Sequence, residues 1–142
     1  MMSTRRIDEI DSNVFHVSSR INSTWGGNLT DMVRCARYLE IIQEDGLVEN
    51  AVRVGVAVKE GLEALARECE SVSNVRGRGL LVAFDLPDGD MRGRVVQGCW
   101  DRSLAILSCG PRSIRLRPPL VFSEAQATQA LDTLREVLDD LG

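Results

Sequence analysis

Apolar residues along the chain follow two different rhythms. From Thr30, Met32, Cys35/Ala36, Leu39 and Ile42 recur at steps of three and four, the spacing that gathers side chains on one helical face. Gly46 follows as a stop signal. A second helix is predicted from about residue 47 to 70, with Leu47, Ala51, Val54, Val58, Leu62 and Leu65 as its buried stripe and Arg53, Glu60, Glu63 and Arg67 outside. Gly55 and Gly61 interrupt it, each at a cost of about 1 kcal/mol relative to alanine, so a close approach to a neighbouring element is expected there. Leu80-Leu-Val-Ala-Phe84 is then an unbroken apolar run bounded by turn formers, which predicts a strand covered on both faces. Residues 92–103 read as a short helix with Val95, Val96, Cys99 and Trp100 apolar. Two short strands, Ala105–Leu107 and Ser113–Leu116, are joined through Gly110-Pro111.

Pro118-Pro119 ends the second of these strands, and Ser123-Glu-Ala-Gln126 has the form of a capping box. The helix it opens carries Ala127, Leu131, Leu134, Leu138 and Leu141 on one side. Residues 1–30 show neither rhythm, and Asn22-Ser-Thr-Trp-Gly-Gly-Asn28 is a run of turn formers, so this stretch reads as an extended arm without a core of its own. The expected order is arm–α–α–β–α–β–β–α: an α/β (α+β) sandwich with helices packed on a small sheet, in which residues 1–30 form the arm and 31–142 the domain.

Composition narrows the function. The 142 residues are one domain's worth of chain, 44% hydrophobic and 27% charged. Aromatic residues make up 4% and the net charge is −4, a poor basis for stacking nucleobases or for neutralising a phosphate backbone. No nucleic-acid or membrane partner is expected. No apolar run reaches the roughly 18 residues that span a bilayer, and the polar first twenty residues do not read as a secretory leader, which points to the cytoplasm. Of the 17 basic residues a single one, Lys59, is lysine, so chemistry needing a lysine amine within this chain falls to Lys59 alone. Its neighbours Glu60 and Glu63 mark it as a surface lysine in helical ion pairs. Cys35, Cys69, Cys99 and Cys109 form no C-x-x-C pair, and His16 is the one histidine, so no metal site is expected and the cysteines read as reduced, semi-buried structural residues.

Three short motifs carry possible chemistry. Gly77-Arg-Gly79 lacks the third glycine of a dinucleotide loop and precedes a strand where that loop must follow one, so it reads as a tight turn into the strand. Ser23-Thr24 before Trp25-Gly-Gly-Asn28 places two hydroxyls and flexible N–H groups at a helix start. That arrangement suits a phosphate, and equally an ordinary helix-entry turn. Arg115 and Arg117 alternate along a strand and share a face, with Leu116 turned toward the core. Stiffened by Pro118-Pro119, they are either a carboxylate clamp or a solvated basic edge.

The three segments Asn22–Asn28, Val75-Arg-Gly-Arg-Gly-Leu-Leu81 and Ile114-Arg-Leu-Arg-Pro-Pro-Leu120 stand in the order and at the spacing of class-III pyridoxal-phosphate-dependent aminotransferases. The chain resembles the C-terminal third of such enzymes from about Asn13 to Leu141. In wording it is nearest the L-lysine 6-aminotransferases of that class, most of all in the stretch from Asn22 to Arg34. The resemblance implies the small C-terminal domain of a fold-type I transferase, with the large cofactor domain outside this chain. It implies that Ser23 and Thr24 reach the cofactor phosphate of the other subunit of a homodimer, and that Arg115 grips the substrate α-carboxylate. The reaction it implies passes the ε-amino group of L-lysine to 2-oxoglutarate, giving 2-aminoadipate 6-semialdehyde and glutamate. The Schiff-base lysine of the family has no counterpart here, so no catalytic residue is expected in the chain, which alone should be inactive and hold pyridoxal 5'-phosphate weakly or not at all. Two other readings stay open: a stand-alone, non-enzymatic α/β binding or dimerisation module that grips a small acid, and a class-III enzyme for ornithine, acetylornithine or 4-aminobutyrate.

Overall fold

A computed structural model describes residues 6, 9–13 and 24–142. By its contacts the chain divides into two compact units, Met1–Ile41 and Ile42–Gly142. Helix α1 spans Leu29–Glu44 and is entered through Asn28, whose Oδ1 accepts from the N–H groups of Thr30 (2.9 Å) and Asp31 (3.4 Å). The expected stripe is present, yet none of its side chains is buried: Leu29, Met32, Val33, Tyr38 and Leu39 are all exposed.

The second unit continues with α2 (Leu47–Glu68), β1 (Ser73–Arg78), β2 (Leu81–Asp85), α3 (Gly89–Asp101), β3 (Leu107–Cys109), β4 (Ser113–Leu116) and α4 (Glu124–Leu141). The four strands form one antiparallel sheet in the order β1-β2-β4-β3. Val54, Val58, Leu62 and Leu65 of α2 are buried as their spacing predicts, and they join Val82, Phe84, Ile114, Val95, Cys99, Leu134 and Leu138 in a single core. Ser123 opens α4 through the expected capping box with Gln126. Gly55 and Gly61 are where the helix is approached most closely: a Cβ on Gly55 would lie 2.6 Å from Gly79 Cα, and one on Gly61 would press on the Leu131 side chain.

The structure corrects the sequence reading in several places. β1 was not anticipated as a strand, because its six residues include one apolar side chain, Val75. The third strand lies at 107–109 where 105–107 was expected, and the short helix spans 89–101 where 92–103 was expected. β2 is fully covered on one face, and on the other only at its Asp85 end. Val82 and Phe84 are buried, while Leu81 remains 53% exposed on the other side. The cysteines are likewise not uniformly semi-buried: Cys99 is buried, Cys69 half-buried, and Cys35 and Cys109 exposed.

Candidate functional site

The open face of the sheet is built by alternation. Directly paired residues in an antiparallel ladder point to the same side, so the register lays out two rows across it. One row runs Ser73–Asp85–Ser113–Cys109, and the next Arg76–Ala83–Arg115–Leu107. Arg115 therefore stands in the interior of the sheet, with β2 on one side and β3 on the other.

Asp85 occupies the first row and is 5% exposed. Its Oδ1 accepts from Ser113 Oγ at 2.6 Å and from an Arg76 guanidinium N–H at 2.8 Å, and its Oδ2 accepts from Asn74 Nδ2 at 2.8 Å. A further guanidinium, that of Arg112, stands 3.9 Å away. The Ser113 and Asn74 hydrogen bonds, with Arg76 adding to them against a partial desolvation cost, hold the Asp85 carboxyl down at about 2. Asn74 reaches it from a left-handed conformation (φ 50°) at an irregularity in the β1–β2 register, a backbone shape asparagine tolerates better than most residues. Arg76 is held in turn: besides Asp85, it donates to the Asn74 carbonyl (2.8 Å) and to Ser113 Oγ (3.1 Å).

Several arginines of the unit hold carboxylates, while Arg115, like Arg67, Arg78, Arg92 and Arg94, holds none among the described residues. Arg53 pairs with Glu124, Arg102 with Asp140, Arg135 with Glu68 and Arg76 with Asp85. Among the described residues no carboxylate pairs with Arg115, and its buried Nε has no hydrogen-bond partner. It also borders a groove of about 420 Å³ whose lining is largely from the core side of the sheet, Val58, Leu80, Ala127 and Leu134 among it. A half-buried guanidinium with no carboxylate partner among the described residues is suited to a bidentate carboxylate. Arg117 lies past the end of β4, exposed and also unpaired among the described residues.

Thr24 opens an exposed turn, Thr24–Gly27, in which Gly27 takes φ 76°. Asn28 spends the first helical N–H groups on its own side chain, which leaves the Thr24 hydroxyl and the turn N–H groups of Gly26 and Gly27 as the groups there able to meet an anion. Ser23 and His16 lie outside the described residues. Lys59 faces Glu63 at 3.6 Å, the helical ion pair expected of it. Among the described residues no group of three or more His, Cys, Asp or Glu side chains could hold a metal ion, and no helix is long and apolar enough to cross a membrane. The Asp85 cluster was missed by sequence reasoning. Its one signal was an acidic residue ending an apolar run, which read as the start of a turn.

Residues 4–138 match the family described as aminotransferase class-III. The chain belongs to the class-III aminotransferases. It is 47% identical to the L-lysine-epsilon aminotransferase of Amycolatopsis lactamdurans over 144 aligned residues, which cover 100% of this chain and 32% of that enzyme. The solved structure of lysine aminotransferase from M. tuberculosis superposes with a TM-score of 0.87 at 44% identity, covering 99% of this chain and 33% of that one. The mitochondrial 4-aminobutyrate aminotransferase of Homo sapiens is 35% identical over 85% of this chain. The chain thus spans about a third of the length of the relatives it matches. Class-III aminotransferases depend on pyridoxal phosphate, and the helices and four-stranded sheet seen here are an α/β part of that fold.

Proposed function

We propose that this chain is the carboxylate-gripping part of a class-III aminotransferase that moves the ε-amino group of L-lysine to 2-oxoglutarate, releasing 2-aminoadipate 6-semialdehyde and glutamate. Residues 31–142 are then its small domain and residues 1–30 an arm that reaches the cofactor phosphate of a second subunit in a cytoplasmic homodimer. The observation that carries the reading is the unpaired, half-buried guanidinium of Arg115 in a family whose reaction needs a carboxylate held still. The choice of lysine is supported by the higher identity to the lysine enzymes, 47%, than to the 4-aminobutyrate enzyme, 35%.

Pyridoxal phosphate, when bound, supplies the electron-withdrawing ring on which an amino group is carried from donor to acceptor. This chain's residues do the holding. Arg115 receives the α-carboxylate in a fork of two N–H donors, which fixes one end of lysine and leaves its distal amine to project away from the sheet. The same fork receives a carboxylate of 2-oxoglutarate in the second half of the reaction. Ser23 and the Thr24 hydroxyl, with the N–H groups of Gly26 and Gly27, accept the cofactor phosphate, a set of donors that fits a dianion. Lys59, bound to Glu63 on the helix surface, takes no part, and the 142 residues alone do not transaminate.

The test is turnover by the complete gene product with 2-oxoglutarate and, in parallel, lysine, ornithine, acetylornithine and 4-aminobutyrate. Lysine should be the preferred donor, and Arg115→Ala should lower kcat/KM for it by about a hundredfold, the scale of losing charge-assisted hydrogen bonds. Preference for another donor would remove the lysine assignment. An Arg115→Ala enzyme within twofold of the parent would remove the role of Arg115.

A further inference from the structure

We infer that Asp85 is a positioning residue for Arg115, binding β1, β2 and β4 into one frame and keeping the neighbouring Arg76 away from the substrate carboxylate. The inference rests on the reading that Arg115 grips that carboxylate. Asp85 itself sits on β2, and its carboxylate takes hydrogen bonds from Asn74 and Arg76 of β1 and from Ser113 of β4. Ser113 precedes Arg115 by two residues and so shares its face. Asp85 likewise follows Ala83 by two, and Ala83 is the direct cross-strand partner of Arg115. The hydrogen bond from Ser113 to Asp85 therefore fixes the register and height of β4 one row away from the guanidinium.

The second consequence concerns charge. Arg76 and Arg115 stand in the same row with only Ala83 between them, so with strands about 4.8 Å apart their Cα atoms are separated by roughly 10 Å. Two side chains of that length can reach one anion. Ala83 is too small to keep them apart. What separates their roles is that Arg76 has three of its five N–H donors on Asp85, the Asn74 carbonyl and Ser113 Oγ and its charge paired with Asp85, whereas Arg115 has no carboxylate among the described residues. Asp85 stays ionised throughout the neutral range, so this hold is permanent under working conditions. Of the two cations in this row, Arg115 is thus the one without a carboxylate among the described residues.

The experiment is a double-mutant cycle in the complete gene product, using Asp85→Asn, Ser113→Ala and Arg115→Ala with two amino donors, L-lysine and 1,5-diaminopentane, which is lysine without its carboxylate. Asp85→Asn should lower kcat/KM for lysine about tenfold, mainly through KM, the usual scale of coupling between residues in one network. It should leave 1,5-diaminopentane within about twofold, and have less than a twofold effect on lysine turnover once Arg115 is alanine. Ser113→Ala removes the hydrogen bonds to Asp85 and from Arg76 but leaves the Arg76–Asp85 pair and should show the same preference more weakly, which provides the readout if the Asp85 variant folds poorly. Equal losses with both donors, or an undiminished loss in the Arg115→Ala background, would show Asp85 to be structural only and overturn the inference. An Arg115→Ala substitution that lowers kcat/KM equally for both donors, leaving the preference for lysine intact, would instead refute the carboxylate-gripping reading, and this inference with it.

Discussion

Gly55 offers a sharp test of the packing that places the sheet. Replacing a mid-helix glycine by alanine favours the helix by about 1 kcal/mol, because the unfolded chain loses freedom and the helix gains shielding. At Gly55 the added methyl would stand 2.6 Å from Gly79 Cα and closer still to the Gly79 carbonyl, where carbon atoms normally rest at 3.5–4.0 Å. The obstacle is backbone, at a turn in the left-handed conformation (Gly79 φ 54°), so no side-chain rotation relieves it. To make room, α2 and the β1–β2 turn must part by about 1 Å, loosening Val54 and Val58 against Leu80 and Val82. Overpacking of this kind costs about 1–3 kcal/mol, and a rigid obstacle puts this case near the upper end. Subtracting the helix gain leaves Gly55→Ala destabilised by about 2 kcal/mol. Gly93 on α3 is the control: it is exposed, a Cβ there would meet nothing within 4 Å, and Gly93→Ala should be stabilised by up to about 1 kcal/mol. Urea unfolding followed by circular dichroism gives both midpoints. A Gly55→Ala midpoint at or above that of the parent would refute the claim that helix and turn touch through these two glycines.

Two further outcomes follow from the titrating groups. Asp85 is held at about 2 in the folded state against about 3.9 when unfolded, so its stabilisation is complete above pH 4 and is lost as pH falls from there toward 2. Acid unfolding of Asp85→Asn should therefore be flatter than the parent between pH 4 and 2, and parallel curves would deny the network its charge. Burial raises the Cys99 thiol to about 11, so Cys99 should resist a thiol reagent at pH 8 until the protein unfolds, while the exposed Cys35 and Cys109 react at once. Modification of Cys99 at the rate of the exposed pair, measured by peptide mapping, would contradict its place in the core.

What the sequence made legible was whatever depends on local spacing. The stripe of α2, the capping box at Ser123, the strand at Ser113–Leu116 and the close approaches at Gly55 and Gly61 each need a few neighbouring residues to be recognised. β1 was illegible for a physical reason: Ser73–Arg78 owes its extended form to hydrogen bonds with β2, and on an edge strand with one open face there is little apolar pattern to read. The stripe of α1 shows the complementary limit, since periodicity states which residues share a face and is silent on what covers them. The Asp85 cluster draws residues 74, 76, 85 and 113 from three strands, so it exists only once the register is known.

Arg115 was legible because its position follows from the core. In Ser113-Ile-Arg-Leu116 the alternation is strict, and Ile114 is fully buried between Phe84 and the helices while Leu116 packs at the core's margin. Shifting β4 by one residue would expose Ile114 and drive the guanidinium inward, forfeiting roughly 2 kcal/mol of apolar burial and adding the larger cost of a buried, unpaired charge. The packing of Ile114 on one side of the strand therefore decides which way Arg115 points on the other. Two hydrogen-bonded neighbours, β2 and β3, then limit how far it can drift. The Arg115 side chain, on an interior strand and aimed by the packing of Ile114, is thus organised by folding itself. On the proposed reading that Arg115 grips a carboxylate, the entropy of ordering it is spent in folding and is not charged again to each binding event.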